Sequence, residues 1–272
     1  DYGVLLAGFV NGFINKFQIK SIDFIASHGH TILHQPEKGI TLQIGDGQTL
    51  ADITKQKVVC DFRTQDVKLG GQGAPLVPIG DRDLFPEYQA CLNLGGFANI
   101  SFDQDDQRIA FDIAPCNLPL NHYCRQLGLT FDEDGYIAAT HAYDAALWQK
   151  LNQLEYYQQL GPKSLGVEWL HEHVFIVCDE TQLPPETLIA TLTEHSAYQI
   201  ARCLNQYQIQ KVLLSGGGSY NQCLIDTIGK YHTVSELAVA PEPLNSFKEA
   251  LIFAYLGLLR VLNQDNVLAS VT

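Results

Sequence analysis

Residues Leu92–Ser101 read LNLGGFANIS, and Val212–Asn221 read VLLSGGGSYN. Each is an apolar run of strand length that ends in glycines followed by a small polar residue. Such a run reads as a buried strand. Glycine at its end lets the chain turn with positive φ and leaves backbone N–H groups uncovered by a Cβ. A turn of that kind is either a plain structural reversal or a cradle for phosphate oxygens. One cluster alone favours the reversal. Two clusters, with the further glycine-rich loop LGGQGAPLVP at 69–78, shift the balance toward a nucleotide. Neither cluster fits the GxxxxGK[ST] or GxGxxG pattern.

Outward from these two strands the chain alternates strand and helix signals. Residues 2–16 (YGVLLAGFVNGFINK) place apolar side chains at helical spacing and predict a helix with one face on a sheet. IDFIASHG (22–29), GITLQIGDG (39–47) and KVVCDFR (57–63) read as strands, and 88–115 as strands joined by a DQDDQ hairpin turn. Helices are predicted over 117–128, 142–160, 185–205, 221–231 and 246–263, with 211–218 as a buried strand. Ser246 reads as the N-cap of the last helix, with Glu249 completing a capping box. The alternation is that of layered α/β proteins. The boundary is expected in the turn near 81–88, dividing the chain into domains 1–86 and 87–272.

Composition narrows the partners. A net charge of −13 offers no basic stripe for a nucleic acid. It does not exclude a nucleotide, whose few phosphates can be held by backbone N–H groups and a metal ion. The seven cysteines are scattered and form no CxxC pair, which predicts buried reduced thiols and a cytoplasmic protein. No apolar run approaches the roughly 18 residues of a membrane span, so no membrane partner is expected. An apolar-periodic segment is already under way at Asp1 and the chain holds no Met, which suggests a trimmed sequence.

Eight stretches in order resemble the anhydro-N-acetylmuramic acid kinases, a family of the actin, hexokinase and Hsp70-type ATPase superfamily. They are SHGHTILHQP (27–36), LQIGDG (42–47), DFRTQDVKLGGQGAPLVP (61–78), LNLGGFANIS (92–101), FDIAPCN (111–117), GPKSLGVEW (161–169), LLSGGGSYN (213–221) and KEALIFAYL (248–256). The resemblance implies two ribonuclease-H-like α/β lobes around a central cleft. The first lobe would lack its amino-terminal part, because the family's first phosphate loop, Gly-Thr-Ser-x-Asp-Gly, is not in this chain. It further implies an ATP- and Mg²⁺-dependent enzyme that opens the 1,6-anhydro bond of an amino sugar and phosphorylates O6, and it suggests a homodimer.

Residue roles follow from the same resemblance. Gly95, Gly96 and Asn99 would lie at the nucleotide phosphates, Gly216, Gly217 and Gly218 at the adenosine, and Lys163 near the nucleotide. Asp112 falls on the family's general base, which must deprotonate the attacking water. His34, Arg63, Gln72 and Glu249 would contact the sugar, an arginine fork being suited to the lactyl carboxylate. Ala114 and Cys116 stand where the family has glycine, and narrow the backbone's approach there. His28, His30 and His34 suggest a metal site by spacing, but a strand-end HxH completes no tetrahedral set, and no protein-bound metal is expected. The alternative to the kinase is a non-catalytic relative that binds a sugar or nucleotide and transfers nothing.

Overall fold

The computed structural model describes residues 2–232 and 236–271. The chain forms two compact units, Asp1–Leu84 with Phe247–Thr272, and Phe85–Ser246. Residues 247–272, which hold most of the carboxyl-terminal helix, therefore group with the first unit, whereas the division at 86/87 placed them with the second.

The first unit opens with α1 (Tyr2–Lys16), β1 (Ile25–Ser27) and a hairpin of β2 (His30–Gln35) and β3 (Ile40–Ile44). It continues through α2 (Gly47–Thr54), β4 (Val58–Cys60), α3 (Thr64–Lys68) and α4 (Val77–Leu84). β1 and β4 pair in parallel, Ile25 opposite Val58 through Ser27 opposite Cys60. Asp46 caps α2, its carboxylate accepting from Thr49 N at 2.7 Å. α1 packs chiefly on α2, with the small buried residues Gly3 and Ala7 on its inner face, and Tyr2 at its start lies beside His30 of β2, the ring centroids 6.3 Å apart. Leu5, Phe9 and Phe13 are left exposed.

The last helix runs Leu244–Val261, two residues ahead of its predicted start. Asn245 N bonds Pro241 O at 3.0 Å, which closes the first turn upstream of Ser246. Ser246 is therefore inside the helix, its hydroxyl donating to Glu242 Oε1 at 2.8 Å, and the capping box does not form. Beyond it, Lys248 Nζ donates to Asp81 Oδ1 at 2.5 Å with both side chains buried. The Phe253 ring stands 4.7 Å from His28 and 5.3 Å from Phe62.

The second unit is built on a five-stranded sheet of β5 (Ala90–Leu94), β6 (Phe97–Gln104), β7 (Gln107–Pro115), β8 (Lys211–Ser215) and β9 (Glu236–Val239), in the order β7-β6-β5-β8-β9. β5, β6 and β7 are antiparallel neighbours, whereas β5–β8 and β8–β9 run parallel. Leu92, Ile100, Phe111 and Leu214 stand in register and are buried with Ile200 and Leu204 of the helix Pro185–Gln206. After β7 comes α5 (Asn117–Gln126). The predicted helix 142–160 is realised only as Ala145–Asn152 and a 3-10 turn, Glu155–Gln158. It stops where Asn152 Oδ1 is taken by Gln199 at 2.6 Å and His195 at 2.9 Å. No helix of the described residues is long and apolar enough to cross a membrane.

Candidate functional site

Parallel pairing of β5 with β8 brings their carboxyl ends to the same edge of the sheet, the edge at which α/β proteins bind ligands. The two glycine turns are therefore neighbours. Between them stands Asn93, which sequence reasoning did not single out. At Gly216, whose φ is +85°, an added methyl would meet Asn93 Oδ1 at 2.5 Å and Leu94 O at 3.0 Å. At Gly218 it would meet Leu94 Cβ at 2.8 Å. These two glycines thus admit the end of the neighbouring strand. Gly217 differs: it is exposed, and an added methyl would have only Asn117 Nδ2 near it, at 3.7 Å.

Two asparagines brace the turns. Asn117 donates its side-chain amide to Leu94 O at 3.0 Å and its backbone N–H to Gly95 O at 3.1 Å. Asn245 accepts from Gly216 N at 2.9 Å and donates to Ser219 Oγ at 2.7 Å. With the carbonyls of Gly95 and Gly96 bonded to the start of α5, the amides of these glycines have no acceptor among the described residues. That leaves two donors in the turn after β5.

A polar row crosses the sheet just before this edge. Asp112, Asn99, Asn93 and Ser215 are register partners through four strands. Asp112 is half-buried. Its Oδ2 accepts from Leu165 N at 2.9 Å and its own N–H donates to Lys163 O at 3.0 Å, which fixes the side chain and leaves Oδ1 uncommitted among the described residues. Burial pushes the Asp112 carboxyl above the ordinary carboxylate range, with the Leu165 N–H opposing the shift. The Lys163 ammonium is occupied elsewhere, bonding the carbonyls of Tyr156 and Gln159 at 2.9 Å each over the Tyr156 ring. Ala114 and Cys116 are fully buried members of the core, so their side chains are taken up by packing.

The sugar-side candidates belong to the first unit. Arg63, at the amino end of α3, donates Nε to His28 Nε2 at 2.8 Å and a terminal nitrogen to Gly73 O at 2.6 Å. Gly73 N in turn donates to Asp66 Oδ2 at 2.6 Å, so the glycine-rich loop wraps the Asp66 carboxylate and leaves Gln72 exposed between Gly71 and Gly73. Burial lowers the pKa values of both Arg63 and His28, and the nearby Glu249 charge opposes the shift in each. His34 bonds Thr41 Oγ1 across the β2–β3 hairpin at 3.0 Å, and no hydrogen bond joins it to Arg63 among the described residues. His28 is a second residue the motif reading left out of the site.

The family profile described as "Anhydro-N-acetylmuramic acid kinase" matches residues 1–272. The chain is 38% identical over 254 residues to the anhydro-N-acetylmuramic acid kinase of Pseudomonas savastanoi pv. phaseolicola, covering 86% of this chain and 67% of that protein. It is 37% identical over 251 residues to that of Pseudomonas syringae pv. syringae, with the same coverage of 86% and 67%. Among solved structures it is similar to the activator of 2-hydroxyisocaproyl-CoA dehydratase from Clostridium difficile, at TM-score 0.43 and 14% identity over 85% of this chain and 90% of that one.

Proposed function

The chain belongs to the anhydro-N-acetylmuramic acid kinase family, and from that premise we propose that it hydrolyses the 1,6-anhydro bond of anhydro-N-acetylmuramic acid and phosphorylates O6 with ATP. The observation that carries this reading is the setting of Asp112. The carboxylate is fixed through one oxygen, is raised in basicity by burial, and shares its register row with the strand ends that carry both glycine turns.

In the reaction a water oxygen bonds to the anomeric carbon while Asp112 Oδ1 takes its proton. The electron pair of the broken C1–O6 bond goes to O6, which takes the γ-phosphoryl group as ADP departs. The unpartnered amides of Gly95 and Gly96 and the open backbone at Gly217 suit phosphate oxygens and nucleotide. Arg63 and Glu249 serve the sugar. No group of three or more His, Cys, Asp or Glu could hold a metal among the described residues. Magnesium would come with the nucleotide phosphates, where it would neutralise charge.

The test is incubation with the anhydro-sugar, ATP, Mg²⁺ and ¹⁸O-water. The expected product is the 6-phosphate with label at C1. Asp112→Asn should lower kcat by about 10²–10⁴-fold, the range for loss of a general base, while ATP affinity stays at the wild-type value. Normal turnover by this variant removes Asp112 from the role. ATP binding with no product from the wild-type chain favours the non-catalytic relative.

A further inference from the structure

We propose that His28, as a neutral imidazole, is a positioning residue that aims Arg63 at the carboxylate of the sugar, an inference that rests on the sugar-kinase reading above. His28 Nδ1 lies 3.2 Å from Gly29 O. A carbonyl only accepts, so Nδ1 carries the proton and Nε2 presents its lone pair. That lone pair receives Arg63 Nε–H at 2.8 Å. Gly73 O takes a second guanidinium proton at 2.6 Å. Of the five N–H donors, three remain without an acceptor among the described residues, one on the nitrogen shared with Gly73 and two on the other terminal nitrogen. Those two nitrogens form the fork that fits a carboxylate end-on.

The lock is rigid for reasons visible around it. The His28 ring packs on Phe253, which packs on Phe62, the residue preceding Arg63. Gly73 is itself tied to Asp66. The charged and titratable groups facing His28 are Arg63, Glu249 and His30. Burial and the Arg63 cation hold the imidazole below its ordinary range, against the Gly29 carbonyl and Glu249. Protonation of Nε2 at acid pH removes the acceptor and sets one cation against another, so Arg63 loses its aim.

Two variants separate this role from packing. His28→Gln keeps an acceptor that does not titrate. His28→Phe keeps an aromatic ring on Phe253 and removes the acceptor. The expected result is a rise of about 10–100-fold in the sugar KM of His28→Phe, the scale of a hydrogen bond to a charged group, with kcat and the ATP KM unchanged. His28→Gln should restore the sugar KM and abolish the wild-type rise in KM on acidification below pH 6.5. Replacing the lactyl carboxylate by a carboxamide should erase the difference between wild type and His28→Phe. An unaltered KM in His28→Phe, an equal penalty with the carboxamide, or an acid limb kept in His28→Gln overturns the proposal. ¹⁵N NMR gives a reading independent of turnover. An Nδ1-protonated His28 and an exchange-protected Arg63 Nε–H, lost in His28→Phe, are required. If wild type turns over no anhydro-sugar, the function fails, and these resonances still decide whether His28 fixes the guanidinium.

Discussion

Gly216 and Gly217 are adjacent and have opposite needs. Gly216 sits at φ +85° with Asn93 and Leu94 where a side chain would go, whereas Gly217 has open space. Gly216→Ala is expected to cost about 1–3 kcal/mol of stability, the range for a residue held in a sparsely populated backbone region, read as a shift in the urea midpoint. Gly217→Ala should leave that midpoint near wild type and weaken ATP binding by calorimetry. Equal effects on both readouts would dissolve the distinction. The glycine clusters themselves are plain in the sequence. What fills the space beside them is not, because a glycine records a missing side chain and says nothing of the neighbour. Asn93 escaped notice, and His28 was weighed only as a metal ligand, for a related reason: each owes its importance to a partner far away in the chain, Gly216 for one and Arg63 for the other.

Elements were legible where one period dominates. α1, β5 to β8 and the helix Pro185–Gln206 stand close to their predicted spans. β9 is four residues long and half-exposed, too short for a period to declare itself. The start of the last helix was misplaced because Ser246 and Glu249 look like a capping pair, while the turn is in fact closed at Pro241. Nor does any local pattern show that Lys248 pairs with Asp81, 167 positions earlier. That buried pair ties the helix to α4. Lys248→Met should destabilise by about 3–5 kcal/mol, because it takes the cation away from a buried carboxylate, whereas Lys248→Met with Asp81→Leu should recover most of the loss. Chemical denaturation of the single and double variants checks this. A double variant no better than the single would mean that the pair does not act as a unit.

For the molecule as a whole, acid stability turns on His195 in the helix Pro185–Gln206. Its Nδ1–H donates to Asn152 Oδ1 and its Nε2 accepts from the Tyr157 hydroxyl, both at 2.9 Å. Complete burial lowers its pKa from 6.5 to about 3. A depressed folded-state value means that the unfolded chain binds the extra proton. This contribution is complete above pH 6.5 and is lost as pH falls toward 3, at up to about 1.4 kcal/mol per pH unit. His195→Gln should flatten the fall of the urea midpoint across that window, and an unchanged slope would place the acid sensitivity elsewhere. The α/β class was legible because strand and helix signals alternate through most of the chain. The regrouping of residues 247–272 with the first unit was not, since it rests on contacts such as Lys248–Asp81 and Phe253–His28.

One such contact reaches beyond chemistry. β7 is the outermost strand of its sheet, and the segment 163–165 lies along it through the Asp112 amide and carboxylate. Unguarded strand margins template aggregation, so the proposed base also anchors a sheath over the margin. Asp112→Ala should release that sheath and drive association between copies in sedimentation runs, whereas Asp112→Asn, which can still accept from Leu165, should remain dispersed though idle. Selection for solubility and selection for catalysis would then press on the same carboxylate.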